Sequence, residues 1–180
     1  MNTMNKILKI GLGLLFLSLP FASASADIKL EYGVNLIDFN GDGVPDVVVK
    51  SIRPLNDSTS VDMTTVYIKG SDQKVYIVPS IYANALSLYN NKIKGTDITI
   101  SDFKFIERKD HVVLLSAEKV GNNLQKLTPI RFSSYSILEN KRGDEIQFKW
   151  QFNNYCVTES SYLSVEDAYS DNCINTIVNE

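Results

Sequence analysis

Between residues 34 and 155 the chain is cut into runs of four to nine residues. They are rich in Val, Ile, Tyr, Phe and Thr, either alternating or wholly apolar, and separated by Asn, Asp, Gly and Pro. A period of two suits a strand with one packed and one wet face, and short apolar runs bounded by turn residues suit buried strands. The expected fold is therefore mainly β: a single antiparallel β domain, sandwich or curved sheet, with a short C-terminal helix. Strands are expected at 34–38, 46–52, 62–69, 74–78, 98–107, 111–120, 128–139 and 145–155. Turns at Gly70-Ser71-Asp72 and Lys141-Arg142-Gly143-Asp144, where glycine permits positive φ, predict hairpins and hence sequential antiparallel pairing.

Aromatic and polar residues alternate in Asp102–Glu107 and in Gln147–Phe152. Trp150 is placed on the polar side of its strand, where neighbouring strands or a dimer partner are expected to cover it. The clearest helix signal lies at Leu163–Tyr169: Ser164 is a cap, Asp167 follows three residues on, and Val165, Ala168 and Tyr169 share a face. Residues 82–91 are compatible with either helix or strand. There is no fixed-period repeat, low-complexity tract or dividing linker.

Lys6 and Lys9 precede an apolar stretch from Ile10 to Leu17, then Pro20 and a small-residue run ending Ala24-Ser25-Ala26. This reads as a secretory signal peptide over 1–26, too short in its apolar core to be a stable membrane anchor, followed by one β-rich domain over 27–180. Cleavage after Ala26 reduces Lys+Arg from 18 to 16 against 21 Asp+Glu, a net charge of −5. No basic stripe is left to neutralise phosphates, which excludes a nucleic-acid partner. Export to the periplasm favours a bond between the two cysteines, Cys156 and Cys173, worth about 3 kcal/mol in the chain-entropy model. Two cysteines and one histidine, His111, do not make a zinc site.

The stretch LIDFNGDGVPDVVVK, residues 36–50, places Asp38, Asn40, Asp42, Gly43 and Asp46 in a D-x-N-x-D-G-x-x-D pattern. Side-chain oxygens at alternate positions around a glycine turn suit a hard cation, and the Val44 carbonyl adds a backbone ligand. Calcium, in a structural role, is the expected cofactor. An EF-hand is excluded because its twelfth position is Val49, inside an apolar run, so the loop would join two strands. Its affinity would be of the extracellular kind, on the order of 10⁻⁴ to 10⁻³ M. The alternative is an Asx-turn in which these side chains bond nearby backbone N–H groups without any metal.

No catalytic residue is assigned, and the protein is not expected to be an enzyme. There is no G-x-S-x-G elbow and no H-E-x-x-H, and His111 begins an apolar strand segment. Ser101–Lys104 and Ser116–Lys119 fit S-x-x-K and Ser170-Asp171-Asn172 fits S-D-N, but both S-x-x-K matches fall in expected strands. There, residues three apart point to opposite faces. A hydrolase using paired carboxylates such as Asp42 and Asp46 stays open, because such pairs need only proximity.

The stretch from Gly33 to Val49 resembles the start of the mature domain of the CarG/CarF-type carbapenem self-resistance proteins. So do, in order and spacing, Val66-Tyr67-Ile68 with Ile77-Val78-Pro79, Ser101-Asp102-Phe103-Lys104, and Tyr162 with Val165-Glu166-Asp167-Ala168-Tyr169. One segment departs: where that family is expected to carry Asn-Ala-His, this chain has Asn56-Asp57-Ser58-Thr59-Ser60. The resemblance implies a periplasmic β-rich protein, a homodimer, that protects against a carbapenem by binding rather than hydrolysis. Its implied partners are the drug itself, sequestered, or the penicillin-binding proteins, shielded. The alternative is a secreted all-β adhesion or inhibitor module in which the acidic loop serves stability alone.

Overall fold

A computed structural model describes residues 26–56, 59–82, 85–142 and 145–178. The expected signal segment lies outside these residues apart from Ala26, as does the Gly143-Asp144 tip of the second hairpin.

Two antiparallel sheets form the domain. The first joins β2 (Gly33–Ile37), β3 (Asp46–Asn56), β4 (Thr59–Lys69) and β5 (Val75–Val78) in sequential order, with β6 (Leu88–Tyr89) also pairing β4. The second runs β1 (Ala26–Ile28), β8 (Thr99–Glu107), β9 (Val112–Lys119), β10 (Ile130–Arg142), β11 (Glu145–Val157), with β7 (Asn91–Lys92) pairing β8. The hairpin order predicted from turn residues is the observed order. At the first turn the Gly70 N–H donates to the Lys74 carbonyl and the Gln73 N–H to that of Gly70.

The sheets pack face to face as a sandwich. Val48, Val66, Ile68 and Val78 of the β2–β5 sheet meet Phe105, Val112, Leu114 and Phe148 of the other. Phe39, from the β2–β3 loop, is wedged between them, edge-on to Phe105 at 5.0 Å and to Trp150 at 6.1 Å. Removing each such side chain from water contributes roughly 1.5–3 kcal/mol. A third layer covers the far face of the second sheet: Val165, Ala168, Ile177 and Val178 pack on Ile106, Leu115, Ala117, Ile130 and Phe132. This explains the unbroken run Val112–Ala117, buried at every position: β9 has a core on each side.

Three local expectations change. Trp150 is not on the polar side of its strand: residues two apart share a face, so it joins Ile146 and Phe148 against the inter-sheet core. The segment Leu163–Tyr169 is not an α-helix; Val165–Ala168 forms a 3-10 turn, with the Ser164 N–H donating to the Asp167 carboxylate as a capping box requires. The α-helix, α1, is Cys173–Val178, so the Cys156–Cys173 bond, with Cα atoms 5.8 Å apart, does not bracket it but ties its first residue to β11. Within 82–91 the described residues hold β6 and no helix, because Leu88 is drawn under β4 into the core.

Candidate functional site

The acidic loop is held by its own backbone. Asp38 accepts the Gly41 N–H on Oδ1 and the Gly43 N–H on Oδ2, each at 2.8 Å. Asn40 Oδ1 accepts the Asp42 N–H, Asn40 Nδ2 donates to Asp42 Oδ2, and Asp42 Oδ1 accepts the Val44 N–H at 2.7 Å. These are Asx-type bonds, made possible because Gly41 and Gly43 have φ of +74° and +81°.

Asp46 does something different. It is 1% exposed, and its two oxygens accept the N–H groups of Phe39 and Lys69, both at 3.0 Å. Burial raises its carboxyl pKa, a shift that the two N–H donors oppose and the nearby Asp42 and Asp38 charges reinforce. The Phe39 carbonyl then accepts the Val112 N–H, and Gly41 lies so close to Asp110 that a Cβ would overlap the Asp110 carbonyl oxygen. The loop thus docks one sheet on the other.

Of the five predicted calcium ligands, Asp38, Asn40, Asp42 and Val44 share one exposed turn while Asp46 is committed to the sheet. Among the described residues no group of three or more His, Cys, Asp or Glu side chains stands close enough to hold a metal ion. Asp46 thus stands apart from the other four residues of the expected ligand set.

The lysines and histidine of the motifs are engaged elsewhere. In β8, Lys104 pairs with Asp27 at 2.7 Å and lies 4.2 Å above the Tyr169 ring, while Ser101, three residues away, faces the other way. Lys119, 7% exposed, donates to the carbonyls of Lys126 and Leu163, and burial lowers its pKa. His111 sits just before β9 with Nδ1 2.7 Å from Asp110. Asp171 of the S-D-N match accepts from the Tyr162 hydroxyl and the Cys173 N–H.

Sequence reasoning missed two surfaces. The outer face of the β2–β5 sheet carries, by register, the row Leu36, Val47, Tyr67, Ile77 and beside it Val34, Val49, Thr65, with no charge in either. Leu36 and Val34 are 66% and 68% exposed. The signal was present in Val47-Val48-Val49: a strand with one wet face would alternate, and this one does not. The second surface is the seam where the β3–β4 hairpin meets β6–β8. A groove of about 520 Å³ there, bounded by Leu55, Asn91, Ile93 and Lys94, shares Asp62 and Asn90 with a cleft of about 150 Å³ floored by Phe103 and Phe105. No local pattern announces it, since its walls come from both sheets. Among the described residues no helix is long and apolar enough to cross a membrane.

A family model described as carbapenem resistance protein CarG-like matches residues 30–171. Among solved structures, one described as the crystal structure of CarG superposes with a TM-score of 0.74 at 23% sequence identity, over 80% of this chain and 93% of that one. At this identity the likeness is one of fold. No curated protein matches the chain.

Proposed function

The chain belongs to the carbapenem resistance protein CarG-like family, and on that premise we propose that it protects a cell against carbapenems from the periplasm, by binding and without hydrolysis. The observation that carries this reading is the commitment of the candidate bases: Lys104 to Asp27 and Tyr169, Lys119 to two carbonyls, His111 to Asp110. Acyl transfer needs a nucleophile within hydrogen-bond reach of its base. The S-x-x-K pairs instead point to opposite faces of strands.

The uncovered face of the β2–β5 sheet supports a homodimer. Four strands about 4.8 Å apart make a face roughly 19 Å wide, and its two uncharged rows can be matched by those of a second copy in aligned sheet packing. Leu36→Lys places a charge on the edge strand β2 of that face, at a residue 66% exposed, without touching the core. Dimeric wild type and monomeric, folded Leu36→Lys are the expected result in sedimentation.

Expression in a carbapenem-sensitive strain tests the function itself. Lowered sensitivity with no lactam-ring opening by the purified protein is the expected pair of results; unchanged sensitivity with the protein present in the periplasm would overturn protection, and measurable turnover would overturn the binding mode.

A further inference from the structure

The seam groove is one of several clefts of similar size, and two lysines and two asparagines line it beside apolar side chains. Its volume of about 520 Å³ lies within the range of ligand pockets, roughly 300–1,000 Å³. Its wall is apolar where Leu55, 55% exposed, stands near Val61 and Ile93. Its polar groups are the amides Asn90 and Asn91, the hydroxyl residues Ser60 and Thr96, and charges of which only Asp62 is negative.

Asp62 is already engaged: Oδ1 accepts the Tyr32 hydroxyl at 2.8 Å and Oδ2 lies 3.6 Å from Lys50. The two lysines of the groove are less committed. Lys94 is exposed and has no ion pair among the described residues. Lys92 reaches Glu166 only at 3.6 Å, with both side chains half exposed, a pairing of the kind that holds little free energy and yields to a better acceptor.

Two available ammonium groups, apolar side chains and two amides lining one groove suit a compact molecule bearing one carboxylate and a carbonyl. We propose that this groove binds the carboxylate of an intact carbapenem, Lys94 and Lys92 holding the charge, Leu55 and Ile93 the ring body, and Asn90 or Asn91 a ring carbonyl. The proposal rests on the reading that the protein protects by binding, and it assigns the ligand and the site. Leu55 precedes and Ser60 closes the stretch in which this chain departs from the family's expected Asn-Ala-His, so these two groove residues are where ligand preference within the family would be set.

The test is calorimetric titration of the mature protein with a carbapenem whose ring absorbance stays intact, repeated with Lys92→Gln/Lys94→Gln and, separately, Leu55→Asp. Each replaces an exposed side chain, so folding is not at stake. Saturable binding by wild type, weakened roughly threefold or more in the double variant, is expected, the scale of two exposed ion pairs removed together. Raising salt should weaken wild type and leave the double variant nearly unaffected. Equal binding by wild type and both variants would overturn the site. Protection in cells by a wild-type protein that binds no drug would overturn the site while leaving the protective function standing; loss of both protection and binding would remove the parent reading as well.

Discussion

Asp46 is the residue whose removal tests the structure most sharply. Its carboxylate accepts the N–H groups of Phe39 and Lys69, and it is 1% exposed. Asp46→Ala leaves both donors unpaired inside the protein, at about 1–3 kcal/mol each. Part of that loss is returned, because the burial that raises the Asp46 pKa shows the charge itself to be costly in place. The net expectation is a destabilisation of about 2–5 kcal/mol. Asp46→Asn, which keeps one acceptor and turns an amide donor toward the other N–H, should lose roughly half as much. With a urea m-value of about 2 kcal/mol/M, the alanine variant shifts the unfolding midpoint down by roughly 1–2 M at unchanged m. A shift below about 0.3 M would refute the bridging role. Calcium separates the two readings of the loop: if Asp46 acts as a strand-to-loop bridge, its loss is the same in calcium and in chelator, and neither moves the wild-type melting curve. A calcium-induced rise that disappears in Asp46→Ala would instead make it a metal ligand, since a hundredfold excess over Kd adds about 2.7 kcal/mol.

Gly41→Ala should be far more damaging than Gly43→Ala. Both have positive φ and share a strain of about 1–2 kcal/mol, but only at Gly41 would the new Cβ overlap Asp110; equal melting temperatures for the two would contradict the close approach. Replacing Cys156 and Cys173 together by serine should cost about 3 kcal/mol, read by urea unfolding, and should expose α1 to hydrogen exchange before the sheets; uniform loss of protection would argue against a separate third layer. Burial raises the Asp102 carboxyl, against the Tyr169 hydroxyl that hydrogen-bonds its charged form. Its proton is therefore held by the native chain at pH values where the unfolded chain, with a pKa near 3.9, has lost it, so this group's contribution to stability falls as pH rises through that window and returns on acidification to about pH 4. Asp102→Asn removes the titration, and its stability relative to wild type should be better at neutral pH than near pH 4; a constant difference across the range would contradict the buried, raised carboxyl.

Strand identity was legible because it is local. Alternation along Gln147–Phe152 and the apolar run from Val112 mark strands whatever lies around them, and glycine at Gly70 marks a turn. The disulfide was legible too, from two cysteines behind an expected signal segment. The short helix was harder. At six residues α1 has little intrinsic stability, and its place is decided by Ile177 and Val178 reaching the second core and by the bond at Cys173, none of which a helical period displays.

The acidic loop shows where the division falls. By itself the sequence determined that residues 38–46 form a glycine turn between two strands and that the turn carries oxygen ligands, because spacing and φ requirements are properties of neighbouring residues. Only the tertiary structure decided that Asp46 accepts the N–H groups of Phe39 and Lys69, that Gly41 meets Asp110, and that Trp150 faces the core. The groove between Leu55 and Lys94 belongs to the same class, as does the bare face around Leu36. Each depends on which surfaces two sheets bury against one another, a choice made by long-range packing that no window of sequence contains.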